Sequence, residues 1–175
     1  LANTFNSKLM LESYSDNPFL KKFYKDMDRY AFTTQLYFLL QRGSEFKSKA
    51  NNDIESNNII SDYFFNKDNL FAETILNADE YSLYNKVFKY LNMSISKPDL
   101  VIYLQADSST LIKRITNRGI DFEQHITENY LKKIIDSYTN YFYSYKESPI
   151  LIINTSRVDV NNAHDYNMLV EEINK

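Results

Sequence analysis

An α/β domain built on a parallel sheet is what this sequence predicts, and three observations predict it. The runs LVIYLQA from Leu100 and ILIINTS from Ile150 are almost wholly apolar, lie just after Pro98 and Pro149, and read as strands buried on both faces. Two shorter apolar runs nearer the start of the chain read as further strands. Helical stretches separate all four, and strands joined by helical crossovers pair in parallel with both sheet faces covered.

In chain order, Lys8 to Glu12 (KLMLE) is an apolar run ending in an acid and is the first strand candidate, although periodicity alone does not separate it from a helix. Ser15, Asp16, Asn17 and Pro18 supply turn and cap chemistry. Asp28 to Lys49 reads as a helix, with Phe32, Leu36, Leu39 and Leu40 at helical spacing and Gln35 and Arg42 on a neighbouring stripe. Asn51 to Asn58 is a polar connector, and Asn58 to Phe64 is the second strand candidate. Leu70 to Leu76 and Asp79 to Leu91 read as helices, the latter with a broad apolar face of Tyr81, Tyr84, Val87, Phe88 and Leu91. After the LVIYLQA strand, Ser108 and Ser109 are placed to cap a helix from Thr110 to Arg118, and Gly119 to end it. Thr127 to Tyr145 is another helix, ILIINTS the last strand, and His164 to Asn174 the closing helix. With no repeat and no linker, 1–175 reads as a single domain.

Composition narrows the chemistry. The 175 residues contain no cysteine, which excludes disulfides, thiolate zinc sites and a cysteine nucleophile. A net charge of -3 argues against general nucleic-acid binding and leaves room for a local phosphate site. No apolar run is long enough to span a membrane, and the first residues lack the order of a signal peptide, so cytoplasmic residence is the expectation. Tyr 15 and Phe 12 are abundant and are read mostly as core. Only two glycines are present, Gly43 and Gly119, and neither begins a G-x-x-x-x-G-K-[ST] phosphate loop.

Ligands of parallel α/β sheets bind beyond the carboxyl ends of the strands. Glu12, Asp62 and Gln105 all fall there. A strand-tip carboxylate such as Glu12 suits a general base; a surface acid after a strand is the alternative. Asp62 in SDY suits a water-mediated Mg²⁺ contact or, equally simply, a helix cap. Gln35 offers an acceptor and a donor to a base edge and Arg42 a planar donor fork, two turns apart on one face; a solvated pair is the ordinary explanation. Tyr24 suits a sugar hydroxyl and Phe71 a stacked base, although both are more often core residues. Arg114 and Arg118 lie one turn apart near a helix end, where they complement the dipole or serve as a phosphate-closing lid, and Glu123 follows within reach of a sugar hydroxyl. His125 and His164 have no metal-ligand spacing.

Taken together, ESYSDNPFLKKFYKD, AFTTQLYFLLQR, SDYFFNKDNLFAETIL, PDLVIYLQA, RITNRGIDFEQHI and PILIINT resemble, in order and spacing, the deoxynucleoside kinases, most of all the bacterial deoxyguanosine and deoxyadenosine kinases. The resemblance covers nearly the whole chain. It implies a three-layer parallel sheet of the phosphate-loop kinase type and a homodimer. It implies phosphorylation of a deoxynucleoside 5′-hydroxyl from ATP with Mg²⁺, in nucleotide salvage. It places the base on Glu12, the sugar on Tyr24 and Glu123, and base reading on Gln35 and Arg42. Base stacking falls on Phe71, metal or phosphate on Asp62, and donor phosphates on Arg114 and Arg118.

The sequence departs from that pattern at three points. Many relatives have an arginine where Tyr63 stands, and many lids a further arginine where Ile120 stands. The family's opening strand, phosphate loop and much of its first helix have no counterpart before Lys8. The expectation is therefore an N-terminally truncated kinase with little activity of its own and a sheet that lacks a strand. A nucleoside-binding or dimer-forming remnant without turnover, and a thymidylate-type nucleotide kinase, are the alternatives; NPFL and FTTQ argue against the last.

Overall fold

The structure is a computed structural model, described over residues 1–50, 58–91, 97–159 and 162–175, with only the backbone of 45–50. Most of the connector expected at Asn51 to Asn58, residues 51–57, lies outside the described residues. The chain divides into two compact units, Leu1–Ile95 with Asp121–His125, and Ser96–Ile120 with Ile126–Lys175.

In the first unit, β1 (Lys8–Met10) and β2 (Ile59–Ser61) form a parallel pair in the register Lys8↔Ile59, Leu9↔Ile60, Met10↔Ser61. Both strands are shorter than the apolar runs suggest. The reason lies just past their ends, where the backbone N–H of Asp62 still donates to Met10 O at 3.3 Å but the next donor, Glu12 N–H, goes to the Asp62 carboxylate at 2.8 Å. A side chain replaces the next rung of the ladder and turns both chains away from strand geometry.

Asn17 sets the following segment. Its amide donates to Thr34 O at 3.2 Å and its carbonyl accepts from Phe19 N–H at 3.0 Å. This buried bracket starts α1 (Leu20–Lys25), a helix of six residues that buries Leu20 and Phe23. The long helix α2 (Met27–Ala50) follows, then α3 (Lys67–Ile75) and α4 (Ala78–Leu91). A reciprocal cap opens α4: Asn77 Oδ1 accepts from Glu80 N–H at 3.0 Å, and Glu80 Oε2 accepts from Asn77 N–H at 3.3 Å. Leu39, Phe65, Ala72 and Tyr84 form the buried core, with Phe32, Tyr81 and Phe88 packed on it, so the apolar face expected of α4 meets Phe32 and Leu39 of α2, whereas Leu40, expected on the same face of α2, is exposed.

In the second unit, β3 (Val101–Gln105) and β4 (Ile150–Asn154) pair in parallel over five residues, from Val101↔Ile150 to Gln105↔Asn154. The helix α5 (Ser108–Arg118) is capped by Asp107, not by the serines after it. Asp107 accepts from Ser109 Oγ at 2.6 Å, Thr110 N–H at 2.7 Å, Thr110 Oγ1 at 2.9 Å and Ser156 Oγ at 3.0 Å. Those donors, that of Ser109 first, hold its carboxyl well below the usual range. Gly119 ends α5 at φ 69, a left-handed position that a side chain disfavours. The helices α6 (Glu128–Ser144) and α7 (Ala163–Ile173) are capped by Thr127 and Asn162. On this sheet Tyr103 stacks with Tyr138 and Phe142, at centroid distances of 5.6 and 4.8 Å.

Candidate active site

Three elements of the first unit bring charge together. Glu12 follows β1, Arg42 lies on α2, and Asp68 is in the first turn of α3. The Arg42 guanidinium forms ion pairs with Glu12 through Nη2 and with Asp68 through Nη1. Arg42 is 4% and Asp68 1% exposed, so these charges are largely removed from water. The guanidinium also lies over the rings of Phe38 and Tyr63, 5.0 and 5.8 Å from their centroids. Lys67 completes the cluster, donating from Nζ to Glu12 Oε2 at 3.2 Å and sitting 5.7 Å from the Phe71 ring. Each Glu12 oxygen is thus held by a different cation, and the Glu12 backbone N–H is held by Asp62.

Gln35 lies two turns before Arg42 on α2 and is 4% exposed. Its side-chain amide makes no hydrogen bond with any described residue, and an amide offers both a donor and an acceptor to a ligand edge. Tyr24 on α1 stacks on Phe122 at 6.0 Å, in the one-turn 3₁₀ helix Asp121–His125, and Glu123 is the buried residue of that turn. Both residues expected at a sugar are therefore on neighbouring elements of one unit.

Arg114 and Arg118 belong to the second unit. Arg114 donates to Thr155 twice, to Oγ1 at 2.8 Å and to the carbonyl at 2.7 Å, and Thr155 Oγ1 donates in turn to Gln105 O at 3.0 Å. This arginine is docked just past the end of β4, and its two bonds to Thr155 use two of the five guanidinium N–H donors. Asp62 is exposed, and its Oδ2 carries no hydrogen bond among the described residues. No cluster of three or more metal-ligating side chains occurs among the described residues. One carboxylate with an uncommitted oxygen fits Mg²⁺, which is commonly bound by one or two carboxylates with substrate phosphates and water.

The family model described as deoxynucleoside kinase matches residues 1–175. The chain belongs to the deoxynucleoside kinase family. Enzymes of this family are transferases that phosphorylate a hydroxyl group. The chain is 31% identical over 139 residues to the deoxyguanosine kinase of Bacillus subtilis, covering 79% of this chain and 67% of that one. It is 31% identical over 193 residues to the deoxyadenosine kinase of Lactobacillus acidophilus, covering 100% and 86%. Its fold matches that of the solved deoxyadenosine kinase of M. mycoides with a TM-score of 0.83 at 24% identity, over 99% of this chain and 88% of that one.

Within this deoxynucleoside kinase, sequence reasoning missed Lys67 and Asp68. The helix was expected to begin at Leu70, because its first turn, Lys67 to Asn69, carries no apolar residue and so no period. An acid within the first turn was the available signal, since Asp is favoured there.

Lys67 also carries a pH signature. Burial first, and Arg42 second, pull its pKa down to about 8 from 10.5, against the opposing pull of Asp62. Below pH 8 both folded and unfolded chains hold the proton, and the folded state bears the desolvation cost in full. Between about 8 and 10.5 the folded state sheds the proton first, the unfolded state binds more protons, and stability attributable to Lys67 rises. Tyr84, whose phenol burial pushes above its ordinary 10.0, opposes this only above that pH. Denaturant titrations of wild type and Lys67→Met at pH 7 and 9.5 should show wild type gaining on the variant by on the order of 1–2 kcal/mol. A constant difference across that range would mean that the Lys67 ammonium is not desolvated.

Proposed function

We propose that this chain transfers the γ-phosphoryl group of ATP to the 5′-hydroxyl of a deoxynucleoside, with deoxyguanosine or deoxyadenosine preferred, in nucleotide salvage. The observation that carries the proposal is the Glu12 carboxylate, fixed at a strand end between two cations and anchored to the helix that presents buried Gln35. An ionised, oriented carboxylate is what an acceptor hydroxyl needs, because phosphoryl transfer depends on positioning and charge balance more than on covalent help. The relatives named above as deoxyguanosine and deoxyadenosine kinases support the purine preference.

In this reading Glu12 orients the 5′-hydroxyl and accepts its proton. Gln35 reads the base edge with its amide, and Arg42 offers its fork to the same base while pairing with Asp68. Phe71 stacks on the base, and Tyr24 and Glu123 bind sugar hydroxyls. Arg114 and Arg118 bind donor phosphates, and Asp62 holds Mg²⁺. When bound, Mg²⁺ neutralises charge on the phosphates. We read residues 1–175 as one kinase domain of a cytoplasmic homodimer. Donor phosphates also need a cradle of backbone amides and a lysine, and these 175 residues contain no glycine-rich loop of that kind. By themselves they are expected to bind a deoxynucleoside but to turn it over slowly, as paired calorimetry and kinase assays on them will show.

The enzyme should phosphorylate deoxyguanosine or deoxyadenosine in preference to the pyrimidine deoxynucleosides and to thymidine monophosphate. Activity confined to the monophosphate would sink the proposal. In the same panel Gln35→Ala should blur the preference among bases, since a buried edge contact is lost. Glu12→Gln should lower kcat by roughly 10²–10⁴-fold, the usual worth of general acid–base catalysis, with little change in nucleoside Kd. A near-normal kcat in that variant rules out Glu12 as the base.

A further inference from the structure

We propose that Lys67 is a positioning residue for Glu12: its ammonium fixes the Oε2 side of the carboxylate so that Glu12 faces the acceptor hydroxyl. The inference rests on Glu12 being the base, and it assigns a task to a side chain outside the set discussed under that reading.

The geometry supplies the first reason. Lys67 Nζ reaches Glu12 Oε2 at 3.2 Å from the first residue of α3, while Arg42 holds Oε1 from α2. Two cations on two helices stop the carboxylate from rotating, which one cation does not do. Each carboxylate oxygen keeps a second lone pair, so an acceptor hydroxyl can still donate to it.

Charge balance supplies the second. The groups facing Lys67 are Glu12 after β1, Asp62 after β2, Arg42 on α2 and the Phe71 ring on its own helix. Counting Asp68 on Arg42, three carboxylates face two cations. Removing Lys67 leaves one guanidinium among three acids, and repulsion from the neighbouring carboxylates is then free to displace the Glu12 carboxylate from the position it holds.

The third reason is that Lys67 sits where it is poor for stability. A cation at the start of a helix opposes the macrodipole, and this one is also partly desolvated. A lysine held in a costly place, over an aromatic ring and against one particular carboxylate, fits a functional demand better than a structural one.

In the full-length protein, Lys67→Met should lower kcat roughly tenfold or more while KM for the deoxynucleoside and for ATP moves less than about threefold. Lys67→Arg should bring kcat back to within about threefold of wild type, because a guanidinium on the same Cα also presents a permanent cation. In a Glu12→Gln background, Lys67→Met should change kcat by less than about twofold, since a residue acting through Glu12 has nothing left to act on. An unchanged kcat in Lys67→Met, a loss confined to KM, or a fully additive loss in the Glu12→Gln background overturns the proposal. Failure of the base assignment looks different: Glu12→Gln alone would then turn over like wild type. If Lys67→Met does not fold, Lys67→Gln carries the same double comparison.

Discussion

The first unit depends on one guanidinium. Arg42 joins the end of β1 to the start of α3 by pairing with Glu12 and Asp68, and it does so from α2. Buried ion pairs give little net stability, because desolvation of each partner offsets most of the attraction. Their consequence is geometric. An arrangement that separates these groups leaves a buried charge alone, at a cost of several kcal/mol, so the three elements meet in one register or not at all. Asp62 adds the fourth element, since its carboxylate holds the Glu12 backbone and ties β2 to the same point.

This explains why the strand pair of the first unit can be only three residues long. A parallel ladder that short contributes few hydrogen bonds, and a two-stranded sheet is marginal without packing. Its ends are held instead by side chains whose partners lie on helices. In the second unit the balance is reversed: on a five-residue ladder the Tyr138 and Phe142 rings pack on Tyr103, and polar side chains serve mainly as caps.

Much of this was legible in the sequence because the signals were long and periodic. Parallel α/β organisation, the apolar face of α4 and the position of the second-unit strands all follow from runs of apolar residues, although Leu104 and Ile152 on strands expected to be buried on both faces, and Leu40 on α2, are exposed. Gln35 and Arg42 were legible as a pair because seven residues is two helical turns. The rest was illegible for identifiable reasons. The six-residue α1 is too short for a period to develop. Ser108 and Ser109 were expected as caps, yet Asp107 beside them is equally competent, and it is Asp107 that accepts the Thr110 N–H. Lys67 and Asp68 lie in a polar helix turn, and their partners, Glu12 and Arg42, are distant in the chain. Local patterning does not encode that meeting.

The polar atoms left without hydrogen bonds follow the same division. Asp68 Oδ2, Thr34 Oγ1 and the Tyr84 hydroxyl are buried with no hydrogen-bond partner among the described residues. Each such group costs roughly 1–3 kcal/mol, so a site selected for stability alone would not keep them. Asp68 belongs to the charge cluster, and Tyr84 is at once a member of the apolar core and a neighbour that feels the field of Arg42. The core of Leu39, Phe65 and Ala72 therefore offsets the cost of the site it borders. In the proposed reading, a site whose charges are paired inside the protein, with the Gln35 amide uncommitted among the described residues, suits a neutral, hydrogen-bonding partner. A base edge has that character, whereas an anion would find the nearest cations already engaged by carboxylates.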